Sequence, residues 1–343
     1  MTRIRQFDAL RGLAAMAVVL FHYVTQYPKL FDLPATGLDP VFRYGGYGVD
    51  LFFMISGFVI TMSLEHSQGL RGFLTARFAR LYPAYWAAVL VTFTVCHVGG
   101  LPSLRIGFGD LVANLTMLQA LLRFEHVDGA YWSLQVEWLF YVSIAAIAFL
   151  GPFRRPMVWL SLWLGCAVLT QQVSWPLGEG TFFGKATGTY LALKHIHLFI
   201  MGAGFFLLWR ARRLNPGPIA LVLAALAVQF AAEGWVVGLL TCGFAGTFFL
   251  ITRDRLRFLA ESQVLLFLGS ISYSLYLIHQ HNGYVVIHAL TSVGAPYWLA
   301  VAVALGAALG AATLLNRLVE EPAARYVRRR QSVAGNLRPN QPS

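Results

Sequence analysis

Runs of about 17–23 apolar residues recur along the chain with short polar breaks, the length of membrane helices and not of barrel strands, which alternate over about ten residues. Ten such runs predict spans near 8–27, 44–63, 82–99, 131–150, 157–173, 190–209, 217–232, 235–251, 264–287 and 297–316. The pattern predicts an all-α, polytopic transmembrane helical bundle, one domain over residues 1–330. Neither a fixed-period repeat nor a matched pair of interrupted helices, the mark of inverted-repeat transporters, divides it. The longest outer segment, about 100–130, contains LVANLTMLQALL. Those dozen residues are too few to span but suit an interfacial or re-entrant helix. Residues 331–343, QSVAGNLRPNQPS, are polar and without apolar period, and are expected to be a disordered tail.

Composition agrees with the pattern: 57% of the residues are hydrophobic and 12% charged. The net charge of +11 could suggest nucleic acid, but its distribution has another cause. With the N-terminus placed in the cytoplasm, all but six of the 26 basic residues fall in inner loops or at inner helix ends. The exceptions are Lys29, Arg43, Arg105, Arg123, Lys185 and Lys194. This bias predicts an even number of spans with both termini cytoplasmic, so the charge reads as topology and no nucleic-acid partner is expected. Arg3 and Arg5 before an apolar run imitate a signal peptide. Asp8, Arg11 and His22 interrupt that run, however, and no A-x-A-like site follows, so the segment is expected to stay. Cys96, Cys166 and Cys242 are odd in number and lie within predicted spans, which offers no disulfide framework and no thiolate metal site.

Ionisable residues inside spans cost about 2.5–3.5 kcal/mol each near the helix centre, so each calls for a reason. Arg11 and His22 are eleven residues apart, which puts them on nearly one helix face about 16 Å apart along the axis. His22, Asp50 and Glu137 all lie about 6–9 Å from the outer ends of their spans. They are expected to form one outer layer, in which a carboxylate would orient the imidazole for proton transfer from a hydroxyl. Depth does not choose between Asp50 and Glu137 as that partner, and polar glue between helices is the competing explanation. His195 with His197, and His279 with His281, are i,i+2 pairs whose rings point about 200° apart, so neither pair chelates as a unit and no metal is expected. His279 can still line a cavity. Arg77 and Arg80 share a helix face where the third span begins and can clamp a phosphate, although the positive-inside bias explains basic residues there as well. In YWSLQVEWLFY, Trp132 and Ser133 beside Glu137 are either belt residues or a platform on which a sugar stacks. P-loop, dinucleotide, HExxH and nucleophile-elbow signatures are absent, and Asn114-Leu-Thr116 is a short glycosylation-type pattern of little weight.

Taken together, six segments in order resemble the membrane-bound acyltransferase family 3, whose members acylate cell-surface glycans and some secreted natural products. They are Arg11 with ten residues before His22, GVDLFFMISGFVI around Asp50, Arg77 and Arg80 followed by LYPAY, YWSLQVEWLFY with Glu137, LGSISYSLYLIHQ ending near His279, and NRLVEEPAAR. The resemblance implies a catalytic His22 with Arg11 required beside it, and a functional Glu137. It also implies that Arg77 and Arg80, with the neighbouring Tyr82, serve acyl-CoA at the cytoplasmic face, most simply acetyl-CoA. Asp50 joins the expected catalytic group, and Trp132, Ser133 and His279 the expected acceptor side. A bacterial inner-membrane enzyme of the stand-alone type, without a fused esterase-like domain, is what the resemblance leads one to expect. Its partners would be membrane lipid and a glycan or lipid-linked sugar. The residues alone also fit a proton-coupled transporter using His22, Asp50, Glu137 and His279 as a relay, and less well a non-catalytic scaffold. The acceptor and the oligomeric state stay open.

Overall fold

The structure, a computed structural model, describes residues 4–67, 69–150, 155–177 and 194–327, without the side chains of 150 and 170–177. Among the described residues the regular structure is entirely helical. The principal helices are α1 (Arg5–Phe21), α2 (Gly48–Glu65), α3 (Leu70–Val98), α4 (Phe108–Asn114), α5 (Trp132–Leu150), α6 (Pro156–Leu177), α7 (Ile196–Ala211), α8 (Pro216–Thr252), α9 (Gln263–Ile278), α10 (Gln280–Ser292) and α11 (Tyr297–Leu315). Six of the described helical stretches are long and apolar enough to cross a membrane: Arg5–Leu30, Asp39–Glu65, Leu70–Val98, Gly129–Phe149, Pro216–Thr252 and Tyr297–Val327. In hydrocarbon every backbone polar group must be satisfied internally, so an apolar chain of this length becomes a set of packed helices. The protein is a multi-pass membrane protein. The tail expected after residue 330 lies outside the described residues, as do residues 178–193 between α6 and α7.

Among the described residues each predicted apolar run overlaps a helix, with two differences in detail. α8 runs unbroken in outline but contains Gly234 at φ 80°, ψ −176°. That residue turns the chain back, so that Val222 and Phe248, from opposite sides of it, both pack against the Gly204–Phe205 stretch of α7. The ninth predicted span is two helices, α9 and α10, meeting at His279.

Backbone contact fixes two helix pairs. A Cβ at Gly269 would sit 2.0 Å from the Asp8 carbonyl oxygen, and one at Gly57 would sit 1.9 Å from that of Phe199. Gly12 lies against Gly269 and His22 against His279, so α1 and α9 run parallel. Phe53 packs on Phe199 and Glu65 pairs with Arg210, so α2 and α7 run parallel as well. Buried Ala300, Ala304, Ala308 and Ala312 form the small-residue stripe by which α11 joins α9 and α10. Apolar side chains cover the outside too: Trp235, Leu239, Leu299 and Leu314 are exposed, as a surface bathed in lipid requires.

α1 does not stop at Phe21. His22–Gln26 forms a π turn in which the Tyr27 N–H reaches the His22 carbonyl, followed by a last turn at Tyr27–Leu30. Pro28 supplies the reason for an irregularity here, since it brings no N–H to the carbonyl of Val24. The Thr36 hydroxyl donates to that oxygen instead, at 3.3 Å.

The outer segment expected to be interfacial or re-entrant is a seven-residue helix, α4, followed by turns that reach down to α3. Tyr82, Tyr85 and the indole of Trp86 donate to the carbonyls of Thr116, Asn114 and Leu115 at 2.8–2.9 Å. Three side chains of one helix thus satisfy irregular backbone packed within the protein. Asn114, fully buried, holds the segment together by bonding Asp110 O, Glu125 O and Val127 N–H. Burial pushes the His126 imidazole of this segment below its ordinary pKa, which suits a neutral ring bonded to Gln119 at 2.8 Å.

Candidate functional site

Between α1, α2, α3, α5 and α9 lies a cavity. Its charged lining residues are Arg11, Arg77, Arg80 and Glu137, three guanidiniums against one carboxylate. Arg77 and Arg80 sit one turn apart on α3, as their spacing predicts, and Arg11 comes to them from α1. Arg77 Nη2 donates to Ser63 Oγ at 3.1 Å, while its Nε is buried without a partner. Arg11 lies 3.6 Å from Asp8, one turn back on its own helix. Arg80 makes no hydrogen bond or ion pair among the described residues and keeps much of its surface open, although helices enclose it. Its free surface therefore faces the cavity. Glu137 accepts from Ser56 Oγ at 2.8 Å and from the Tyr141 hydroxyl through the same oxygen, Oε1. The excess positive charge in a site partly shielded from water suits a polyanionic ligand, with bidentate guanidinium contacts available to phosphate.

Above the cavity on α9 comes a polar step. Tyr276 and Ser133 line the cavity and bond each other at 2.6 Å, and both hydroxyls lie within bonding distance of Ala130 O. The Tyr276 ring is 5.8 Å, centroid to centroid, from that of His279. His279 is fully buried, and its Nε2 lies 2.9 Å from Nδ1 of the partly buried His22. The Tyr23 hydroxyl donates to His279 O at 2.7 Å, and Tyr131 donates to Leu277 O at 3.0 Å. A clasp from the outer segment closes the same corner. Asp128, 0% exposed, accepts from the backbone N–H groups of Ala130 and His281, and His281 Nδ1 donates to Val127 O. The imidazole of His22 thus stands one aromatic layer beyond a cationic cavity.

This arrangement corrects the expected layer of His22, Asp50 and Glu137. Equal distance from span ends is not equal depth, because the ends are not level. Gly48, the first residue of α2, packs against Ala14 and Val18 rather than His22, because α1 continues outward through its π turn. Asp50 therefore lies about 10–15 Å below His22 along α1. It also faces away: two residues beyond Gly48 is about 200° around the helix. Its Oδ2 accepts from the amide of Gln229 at 3.1 Å, and Gln229 accepts from His197, all three buried. Glu137 joins the arginines. Neither carboxylate bonds His22, whose imidazole faces His279 Nε2 at 2.9 Å and also the backbone carbonyl of Val18, one turn back on α1.

The remaining expected residues divide similarly. Ser133 lines the cavity, whereas Tyr82 does not: its hydroxyl caps Thr116 O and its ring stacks on Phe78. Trp132, 38% exposed, packs on His195 and Phe53 at the outer end of α5. Sequence reasoning missed Asp128, which lies in the outer segment and outside every predicted span. It also missed Glu320, which accepts from Ser274 and Asn316 and lies within electrostatic reach of Arg80. The motif NRLVEEPAAR carried that second signal. Among the described residues no three His, Cys, Asp or Glu side chains converge as a metal site requires.

Comparison with known proteins matches the acyltransferase domain family to residues 4–317. The chain is 27% identical to acyltransferase MdmB of Streptomyces mycarofaciens, over 97% of this chain and 94% of that protein. It is 28% identical to exopolysaccharide production protein ExoZ of Rhizobium meliloti, over 86% and 94%. It is 25% identical to peptidoglycan O-acetyltransferase OatA of Listeria monocytogenes, over 79% of this chain and 48% of that protein. No solved structure matches.

Proposed function

The chain belongs to the acyltransferase-3 family, and on that premise we propose that it moves an acyl group, most simply acetyl, from cytoplasmic acyl-CoA to a hydroxyl of a cell-envelope sugar. The acceptor class is a surface polysaccharide, a lipid-linked sugar or a glycosylated natural product, following relatives named for exopolysaccharide production, for peptidoglycan O-acetylation or simply as acyltransferases. The observation that carries the reading is the convergence of Arg11, Arg77 and Arg80 on one cavity directly beneath the His22–His279 pair. The guanidiniums would hold the CoA phosphates at the inner end. The pantetheine arm would run past Ser56 and Glu137 toward Ser133 and Tyr276, bringing the thioester to His22.

At His22 the acceptor hydroxyl gives its proton to the imidazole while its oxygen attacks the thioester carbonyl carbon. The C–S bond then breaks and the proton passes to the CoA thiolate, leaving an ester and free CoA. The carrier route uses the same nitrogen lone pair to form an acyl-imidazolium with release of thiolate. The hydroxyl then takes the acyl group and its proton goes to the thiolate. Trp132, exposed beside His195, offers the outer aromatic face on which a sugar ring can stack. Ten crossings with both termini in the cytoplasm fit this path, and the parallel pairs α1–α9 and α2–α7 are consistent with such an arrangement. A proton-relay transporter is less well supported, since Asp50 is engaged by Gln229 and His197 away from His22.

Membrane vesicles from cells carrying the native acceptor, supplied with radiolabelled acetyl-CoA, test the reading. His22→Ala is expected to abolish transfer of label to glycan while the protein still accumulates in the membrane. Undiminished transfer by that variant would overturn the assignment.

A further inference from the structure

His279 is an unusual partner for a catalytic imidazole, because a ring nitrogen, unlike a carboxylate, is a donor in one tautomer and an acceptor in the other. The backbone resolves which one it is. His279 Nδ1 lies 3.1 Å from the carbonyl oxygen of Leu275 and 2.9 Å from that of Tyr276. Carbonyls only accept, so Nδ1 must carry the proton; a bare nitrogen there would set its lone pair against two oxygens. The ring is 0% exposed and no carboxylate bonds it, so a second proton would make a buried charge with no hydrogen-bonded counter-ion. The neutral ring then presents a bare Nε2 to His22, and His22 Nδ1 must donate across the 2.9 Å between them.

We propose that His279 is a positioning residue that locks His22 in the Nδ1–H form, leaving His22 Nε2 as the bare, basic nitrogen that meets the acceptor. The backbone carbonyls of Leu275 and Tyr276, where α9 ends, orient the lock through His279. The break between α9 and α10 at His279 and the π turn beginning at His22 set the two rings against each other. A histidine thereby performs the tautomer-fixing part of the role that a carboxylate plays in a hydrolase triad, without bringing a negative charge into the membrane. The same lone pair serves the general-base and the carrier routes alike. The inference rests on the acyl-transfer reading for its catalytic consequence, but the tautomer itself does not.

Two measurements separate these parts. In detergent-solubilised protein labelled with ¹⁵N-histidine, His22 assigned by loss of its signals in His22→Ala is expected to show a protonated Nδ1 and a bare Nε2. A protonated Nε2 on His22, or a doubly protonated His279, overturns the lock whether or not the protein transfers acyl groups. In the vesicle assay with acetyl-CoA, His279→Leu is expected to lower kcat by about 100- to 10,000-fold, the span of general acid–base contributions. KM for acetyl-CoA should stay within about threefold, because the arginine cavity is untouched, and purified His279→Leu should still bind acetyl-CoA, which reports its folding. His279→Gln, whose amide oxygen can accept from Nδ1–H, is expected to recover at least about tenfold of the lost kcat, the equivalent of about 1.4 kcal/mol. Wild-type kcat in His279→Leu, or equal kcat in folded Leu and Gln variants, would refute the positioning role.

Discussion

Arg80 is the residue whose surroundings point most directly outward from the protein to a ligand. Arg77 spends one nitrogen on Ser63 and Arg11 has Asp8 beside it, but Arg80 keeps its guanidinium open to the cavity. A charge-assisted hydrogen bond to phosphate contributes about 1.5–3 kcal/mol. Arg80→Ala is therefore expected to raise KM for acetyl-CoA about 10- to 100-fold with a smaller fall in kcat, read from initial rates at varied donor concentration. Arg80→Lys should recover part of this, since it keeps the charge and loses the planar fork. An unchanged KM in Arg80→Ala would place donor recognition elsewhere. The pair itself was legible in the chain because i,i+3 spacing is a local fact. The arrival of Arg11 from α1 depends on how α1 packs along α9, which no local spacing encodes. Asp50 shows the opposite failure. Distance from the end of its own span does not give its direction, which is set by Gly48 touching Ala14, a contact between helices.

Whole elements owe their placement to a few positions where nothing larger than hydrogen fits. The Gly57–Phe199 and Gly269–Asp8 contacts bring backbones together at the two interfaces that aim Ser56 and the α9 tyrosines into the cavity. Gly57→Ala puts a methyl against a carbonyl that belongs to a rigid helix, so the helices must separate. Overpacking of this kind costs about 1–3 kcal/mol. The variant is expected to unfold at a clearly lower temperature in detergent and to lose transfer with it. Gly310 is the matched control, because a Cβ there meets nothing within 4 Å. Gly310→Ala should be neutral or slightly stabilising, as removal of a helical glycine in open space predicts, by up to about 1 kcal/mol. Equal melting temperatures for the two variants would mean that the α2–α7 contact does not set the packing. Hydropathy alone located these helices, since lipid demands an apolar run whatever its neighbours, and it separated the halves of α8 around Gly234. The π turn at His22 and the break at His279 were hidden because both leave the apolar pattern intact and alter only which carbonyl each N–H meets.

At the scale of the molecule, the positive cavity and the His22–His279 pair lie at different levels of one bundle, and that separation makes a claim about sidedness. Arg11 and His22 are about 16 Å apart along α1, roughly half the thickness of the hydrocarbon core. A polyanionic donor cannot pass through lipid, so it must enter from the face nearest the arginines. On the proposed topology that face is cytoplasmic, and the segment whose carbonyls accept from Tyr82, Tyr85 and Trp86 approaches the bundle from the other side. Sealed inside-out vesicles given external radiolabelled acetyl-CoA are therefore expected to label acceptor in the lumen, while sealed right-side-out vesicles stay unlabelled until permeabilised. The reverse preference would invert the topology yet leave the chemistry intact. Equal labelling in both sealed preparations would instead place donor and acceptor on one side, and the path between Arg80 and His22 would then have no transport across the membrane to explain.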